Sequence, residues 1–321
     1  MKYRLKHIVE YAALRGTGAL IRILPYRAAL ALVWCLALIS RLFLGKLMRR
    51  TRARLKQVFG ARFNERERAG IAWRAWRNLC FNAVEAMRVQ SMTLDWVRKV
   101  IHDQGTPPVW ARVNAGQGVV VAVCHMGNWE LAGVAACLMG LPMMTIARRQ
   151  KNPLADRFLD RIREATGLDV IYYGSKRLAE VVPALRQGKV LAILPDLRAK
   201  TDSVRVEFLG IDADLPTGMA RFAREAGVPI IPQLVLRNGW SRHSWQAFEP
   251  IAPDPALDEK QDLQRMTQYV MDCFSHAIRE HPDQYFWFNK RWVLGEEGTE
   301  IRRQRSEVRA TDAGGQPPAD R

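Results

Sequence analysis

Between residues 119 and 236, short β-preferring apolar runs alternate with stretches of helical pattern. That alternation limits the fold more than any other feature of the chain. Runs at 119–124, 143–147, 170–173, 190–194 and 229–236 read as strands. The segments 131–139, 154–166 and 176–187, and the stretch from Pro216-Thr217-Gly218 to Ala226, read as helices. The predicted fold class is therefore α/β, a largely parallel mixed sheet covered by helices. Helices are also expected across 51–100, where Trp73, Trp76, Leu79, Cys80, Ala83, Val84 and Met87 recur at three- and four-residue spacing. A turn at Thr106-Pro107-Pro108 closes that part. A long helix over 263–279 follows the last strand. The tail from 296 to 321, rich in Arg, Glu, Gly and Pro, reads as disordered.

The first run carries the chemistry. Val119-Val120-Val121-Ala122-Val123-Cys124 leads into His125, and Glu130 follows after Met126-Gly127-Asn128-Trp129. Asn128 reads as the cap of the next helix, so His125 lies at a strand's carboxyl end and Glu130 in a first helical turn. In open α/β sheets ligands bind there. A neutral imidazole in that place can take the proton of a substrate alcohol attacking an ester or thioester. Glu130 could hold the other ring nitrogen, as the carboxylate does in a Ser-His-Asp triad. The plainer alternative is a histidine bonded locally beside a glutamate favoured by the helix dipole. Cys124 is next to His125, but neighbours in a strand face opposite ways, which argues against a Cys-His pair. The five cysteines include no C-x-x-C pair, so neither a structural zinc nor a disulfide framework is expected.

The net charge of +17 is concentrated at one end, with 18 Lys and Arg against 3 Glu over residues 1–77. Arg49, Arg50, Arg52, Arg54 and Lys56 are the densest part. Such a patch suits anionic lipid, nucleic acid or an acidic partner protein, or it is a solvated helix face. The uncharged stretch 28–40, bounded by Arg27 and Arg41, falls short of the ~20 residues that span a bilayer. With both arginines snorkelling, 23–47 could just reach across; otherwise the helix lies in the interface or is buried. No small-residue cleavage site follows, so a cleaved signal peptide is not expected. The expected division is a membrane-associating segment over 1–47, a catalytic domain over 48–295 and the tail. Nucleic acid is not an expected partner, because the charge is interleaved with a long apolar segment rather than with isolated stacking aromatics.

Four further motifs fall in order behind His125. They are Arg148-Arg149-Gln150-Lys151-Asn152-Pro153-Leu154, Leu194-Pro195-Asp196-Leu197-Arg198, Leu215-Pro216-Thr217-Gly218, and Gln284-Tyr285-Phe286-Trp287-Phe288-Asn289-Lys290-Arg291-Trp292. Together with His-Met-Gly-Asn-Trp-Glu, they resemble the lipid A biosynthesis (lauroyl/myristoyl) acyltransferase family of the lysophospholipid-acyltransferase-like superfamily. The resemblance covers roughly residues 5–293 and implies transfer of an acyl chain from an acyl-carrier-protein or coenzyme A thioester to a lipid hydroxyl. It implies no metal or bound cofactor. Acyl carrier protein and a lipid acceptor are the implied partners; the basic patch adds anionic membrane lipid, and the apolar, basic segment 1–47 is expected to place the catalytic domain on the cytoplasmic face of the inner membrane. His125 matches the family's base and Glu130 its partner carboxylate. Arg148 matches an arginine thought to hold phosphate, and its planar fork suits that task, although a surface arginine is the alternative. Asp196 matches an acidic position near the site, or is a turn former. Asn128, Thr217 and Gly218 join the expected substrate-binding set. Thr217 could instead be an N-cap, or its helix N-terminus could hold an anion or oxyanion. Leu197 and Asn289 depart from the family's usual residues, which leaves a lysophospholipid or another amphiphile open as acceptor. Glu297-Gly298-Thr299-Glu300 imitates a glycerophosphate-acyltransferase motif but lacks its arginine and follows the folded part.

Overall fold

The computed structural model describes residues 4–199, 202–289 and 292–295. The tail, the Glu297–Glu300 imitation motif, Lys290 and Arg291 lie outside the described residues. Three helices open the chain: α1 (Leu5–Ile23), α2 (Tyr26–Ser40) and α3 (Gly45–Phe59). The long α4 (Glu65–Arg88) begins at a capping box, in which the Asn64 side chain accepts from Glu67 N and the Glu67 carboxylate accepts from Asn64 N. After α5 (Leu94–Val100), β1 (Ile101–Asp103) and α6 (Pro107–Asn114), the alternating region runs in sequence. It comprises β2 (Val119–Gly127), α7 (Trp129–Leu138), β3 (Met143–Ala147), α8 (Pro153–Glu164), β4 (Asp169–Tyr172), α9 (Val181–Arg186) and β5 (Val190–Ile193). A hairpin of β6 (Ser203–Phe208) and β7 (Ile211–Pro216) follows, then α10 (Gly218–Ala226), β8 (Ile230–Asn238), β9 (Arg242–Ala247) and α11 (Glu259–Glu280).

The main sheet has seven strands in the order β1-β9-β8-β2-β5-β3-β4. Every pairing in it is parallel except that of β8 with β9. The expected α/β class with a largely parallel mixed sheet is therefore what the chain builds. β2 lies at the centre and is buried along almost its whole length, as its unbroken valine run requires. Side chains of alternate parity feed two cores. Val120, Ala122, Cys124 and Met126 pack with α3, α4, α10, α11 and the aromatic residues from Tyr285 to Trp292. Val119, Val121 and Val123 pack with α5, α6 and α7. A third cluster joins Ile21, Ala29 and Leu30 of the first two helices to Phe81 and Val84 of α4.

Several local expectations change. The strand expected at 119–124 continues to Gly127, because Met126 bridges to Tyr285 from the far end of the chain. Thr106-Pro107-Pro108 opens α6 rather than closing a helical region; proline at a helix start loses no hydrogen bond. The helix expected at 176–187 is a 3₁₀ turn, Lys176–Glu180, followed by α9, with Pro183 in the first turn of α9. Among the described residues, no single helix is long and apolar enough to cross a membrane. A continuous span over 23–47 is not formed: α1 ends at Ile23, and α2 and the helical stretch after it meet at a 92° bend. Arg54, expected in the basic patch, is buried. Its guanidinium stacks on Trp292 at 4.8 Å and donates to the carbonyls of Trp287 and Asn289 at 2.5 and 2.8 Å.

Candidate active site

His125 stands where β2 loses register with β8. The pairing shifts between Val123 and Gly127, and such an irregularity re-aims the side chains beside it. Gly127 makes the close approach possible. Its φ is +58°, and a Cβ there would sit 1.7 Å from the carbonyl oxygen of Val235. The segment from Tyr285 crosses the strand end, and Phe286 N donates to the His125 carbonyl at 2.8 Å. Trp129 and Phe286 flank the imidazole, with ring centroids 5.2 and 6.3 Å away.

The ring's carboxylate partner is Asp196, which follows β5, the neighbour of β2. Nδ1 of His125 lies 2.7 Å from Asp196 Oδ1, and the backbone N–H of His125 donates to Oδ2 at 3.0 Å. Burial and the neighbouring Asp196 charge push the Tyr285 phenol well above its usual range. Asp196 has no exposed side-chain surface, whereas His125 keeps 16% of its own. With Nδ1–H given to Asp196, Nε2 carries the lone pair and is the basic nitrogen. Burial alone would lower the His125 pKa, but the Asp196 charge and hydrogen bond outweigh it and raise it above the ordinary 6.5. Burial would likewise raise Asp196, and the imidazole beside it holds that carboxyl below its usual range. Burial and Asp196 together push the Cys124 thiol well up, so it is no nucleophile.

This geometry revises several expectations. Glu130 is exposed in the first turn of α7 and acts on the ring through its charge; the hydrogen bond that orients the imidazole comes from Asp196. Asp196, expected to bind substrate, is wholly covered and faces the His125 imidazole instead. Asn128, also expected to bind substrate, is buried. Its Oδ1 caps α7 by accepting from Leu131 N, and its amide donates to Glu85. Thr217 is neither a side-chain cap nor an open anion site: its hydroxyl donates to Asp202 at 2.8 Å. The helix start at Gly218 thus has a carboxylate of the protein at its door, which disfavours an oxyanion there. Arg148 is exposed after β3, with its guanidinium over Tyr173 at 4.4 Å. Its neighbour Arg149 is tied to Asp156 and Asp160.

Tyr285, Phe286 and a polar group on α4 were missing from the expected site. The α4 signal was present in the sequence. Asn78, Asn82 and Glu85 interrupt the buried stripe that includes Ala75 and Phe81, and polar residues at core positions need a reason. Beside Trp129, an apolar cavity of about 40 Å³ lies between α7 and the sheet, lined by Val121, Val123, Ala132, Gly133 and Ala136 among others. A base at a strand end, oriented by a buried carboxylate and bordered by apolar surface, can deprotonate a hydroxyl or water attacking an acyl carbonyl.

Comparisons with known proteins agree with that chemistry. The chain is 30% identical over 188 residues to a phosphatidylinositol mannoside acyltransferase of Mycobacterium tuberculosis, covering 57% of each chain. It is 27% identical over 191 residues to the phosphatidylinositol mannoside acyltransferase of Mycolicibacterium smegmatis, covering 58% of this chain and 60% of that one. A lipid A biosynthesis acyltransferase of Haemophilus influenzae is 22% identical over 176 residues, covering 54% and 52%. The matches thus span less than two thirds of these relatives. Residues 2–293 match the family described as bacterial lipid A biosynthesis acyltransferase, and on that match, which takes in His125, Asp196 and the Tyr285–Phe286 crossing, the chain belongs to this family.

Proposed function

We propose that the protein is a membrane-associated O-acyltransferase that moves a fatty acyl chain from an acyl-carrier-protein or coenzyme A thioester to a hydroxyl of a glycolipid. The observation that carries this reading is the 2.7 Å contact between His125 Nδ1 and Asp196, which leaves Nε2 free to act as base. Family membership and the names of the relatives, lipid A and phosphatidylinositol mannoside acyltransferases, support the glycolipid class. In the step, the acceptor hydroxyl gives its proton to Nε2 as its oxygen bonds to the thioester carbonyl carbon. The C–S bond then breaks, and the proton passes from the imidazolium to the departing thiolate. Asp196 stabilises the imidazolium, and Glu130 adds negative charge at the rim. Arg148, exposed just after the carboxyl end of β3, holds a phosphate of donor or acceptor. The donor chain enters the seam beside Trp129. At about 40 Å³ that seam has room for about three water molecules at most, so the side chains of α7 must part to admit a chain.

Location at the cytoplasmic face of the inner membrane belongs to the same proposal. Leu5, Ile8, Ile23, Leu42 and Phe43 are exposed, with Lys46 and Arg49 exposed nearby. That mixture suits a helix lying in an anionic interface. Acidic acyl carrier protein would be drawn to the same basic end. The test is ester formation by purified protein from acyl-carrier-protein and coenzyme A thioesters, with glycolipid and lysophospholipid acceptors compared. His125→Ala should abolish turnover, and normal turnover by the folded variant would refute the mechanism.

A further inference from the structure

Beneath the turn that joins β2 to α7 lies a polar cluster sealed from solvent. Glu85 of α4 and Arg237 of β8 form its centre, each with about 1% of its side chain exposed. Arg237 Nη1 donates to Glu85 Oε1 at 2.8 Å and Nη2 to Oε2 at 2.6 Å, a bidentate pair. Three further groups converge on the same carboxylate: the Asn128 amide, the Tyr26 hydroxyl and His243 Nε2, the last at 3.2 Å. Asn82, one turn before Glu85, donates to the Gly127 carbonyl and accepts from Arg237 Nη2 at 2.7 Å. Gln284 grips the backbone of Arg237, accepting from its N–H at 3.0 Å and donating to its carbonyl at 2.8 Å. The chain then runs from Gln284 directly into the Tyr285–Phe286 crossing over His125.

Two residues beyond the base, the backbone is therefore held from below at successive positions. Gly127 is held by its carbonyl; Asn128 is held by its side chain and by its N–H, which donates to Val235 O at 2.9 Å. A buried ion pair is weak evidence for stability, since apolar residues of similar volume often do as well. Its distinctive capacity is directional: with its carboxylate held by Arg237, Tyr26 and His243, Glu85 presents a fixed acceptor to the Asn128 amide of the turn. A catalytic group misplaced by about 1 Å can lose 10²-fold in rate. The contact from Tyr26 adds a link that packing alone does not supply, because Tyr26 is the first residue of α2.

We propose that Glu85 and Arg237 are positioning residues for His125, fixing the Gly127–Asn128 turn, and that Tyr26 makes α2 part of the same support. The proposal rests on His125 being the base. Two mild variants probe it: Tyr26→Phe, which removes one hydroxyl, and Asn128→Ser, which keeps a cap for α7 but loses the amide that reaches Glu85. Each is made alone and in a His125→Ala background. The probe reaction is hydrolysis of lauroyl coenzyme A in detergent micelles, read as released thiol, with melting temperature measured alongside. The expected result for each variant in the parent is a fall in kcat of about tenfold with KM little changed. In the His125→Ala background, neither variant should lower the residual rate further. Unchanged kcat in both single variants would overturn the proposal. So would an equal proportional loss with and without His125, because that would mark a merely structural role. Wild-type turnover by His125→Ala would refute the base itself, and the positioning role with it.

Discussion

Replacing Asp196 by Asn tests the centre of the site with a change of one atom. In the parent, Oδ1 lies 2.7 Å from His125 Nδ1 and Oδ2 accepts the His125 backbone N–H at 3.0 Å, with Cys124 Sγ at 3.5 Å from the same oxygen. A carboxylate can accept at both positions; an amide cannot. If the Asn amide nitrogen faces the backbone N–H, two donors oppose each other in a buried place. If it faces Nδ1, the ring must carry its proton on Nε2, and the base is lost. Either outcome removes most of what general-base catalysis provides, about 10²–10⁴ in kcat. The pH profile supplies the second reading. The base works when neutral, so the parent's rate should rise through a pKa above the ordinary 6.5, where Asp196 holds it. Without that charge, burial is uncompensated, and the acidic limb of any residual activity should move to lower pH. The assay is initial-rate ester formation by purified protein in detergent between about pH 5 and 9, the range in which histidine titrates. A kcat within about twofold of the parent, or an acidic limb that stays in place, would refute the assignment of Asp196 as the partner.

The same shifts set a stability window. The Asp196 pKa is lowered and that of His125 raised, so their contribution should fade as pH falls through the Asp196 value and as pH rises through the His125 value. Melting curves of the parent and Asp196→Asn should differ most between those limits, and a constant difference would contradict the pairing. Arg148→Lys should raise KM for a phosphorylated substrate without restoring the parent's binding, since the planar fork is lost; equal kinetics would reduce Arg148 to a partner of Tyr173. Arg54→Met should destabilise by about 1–3 kcal/mol in denaturant unfolding, because the buried Trp287 carbonyl loses the guanidinium that donates to it; a cost within about 0.5 kcal/mol would show that other groups replace it. Gly133→Leu would place bulk where a Cβ meets no atom within 4 Å, on the cavity wall. It should shift donor preference toward shorter chains, and an unchanged chain-length profile would remove the cavity from the donor's path.

Membership of the acyltransferase family and the α/β architecture were legible because both rest on local pattern. The valine run of β2 has no polar alternation, and its β-branched residues, short length and Gly127-Asn128 break mark it as a strand buried on both faces, with Asn128 the cap of the helix that follows. The β6–β7 hairpin is also written in the sequence, as the inward alternation of Val204, Val206 and Phe208, although the Pro and Asp signals around it mask the pattern. The identity of His125's partner was not legible. Glu130 is five residues away along the chain and Asp196 is 71, so sequence distance favours Glu130, whereas the imidazole's hydrogen bond goes to Asp196. What decides between them is that β5 pairs with β2 in the sheet, a matter of strand order, which no local periodicity encodes. Burial follows the same rule. Arg54 reads as one more charge in a basic stretch until the carbonyls of Trp287 and Asn289 arrive from the other end of the chain. Hydrophobic period sets which face of an element turns inward; the three-dimensional packing of distant elements decides which polar groups meet there, and the low-dielectric interior makes those meetings chemically decisive.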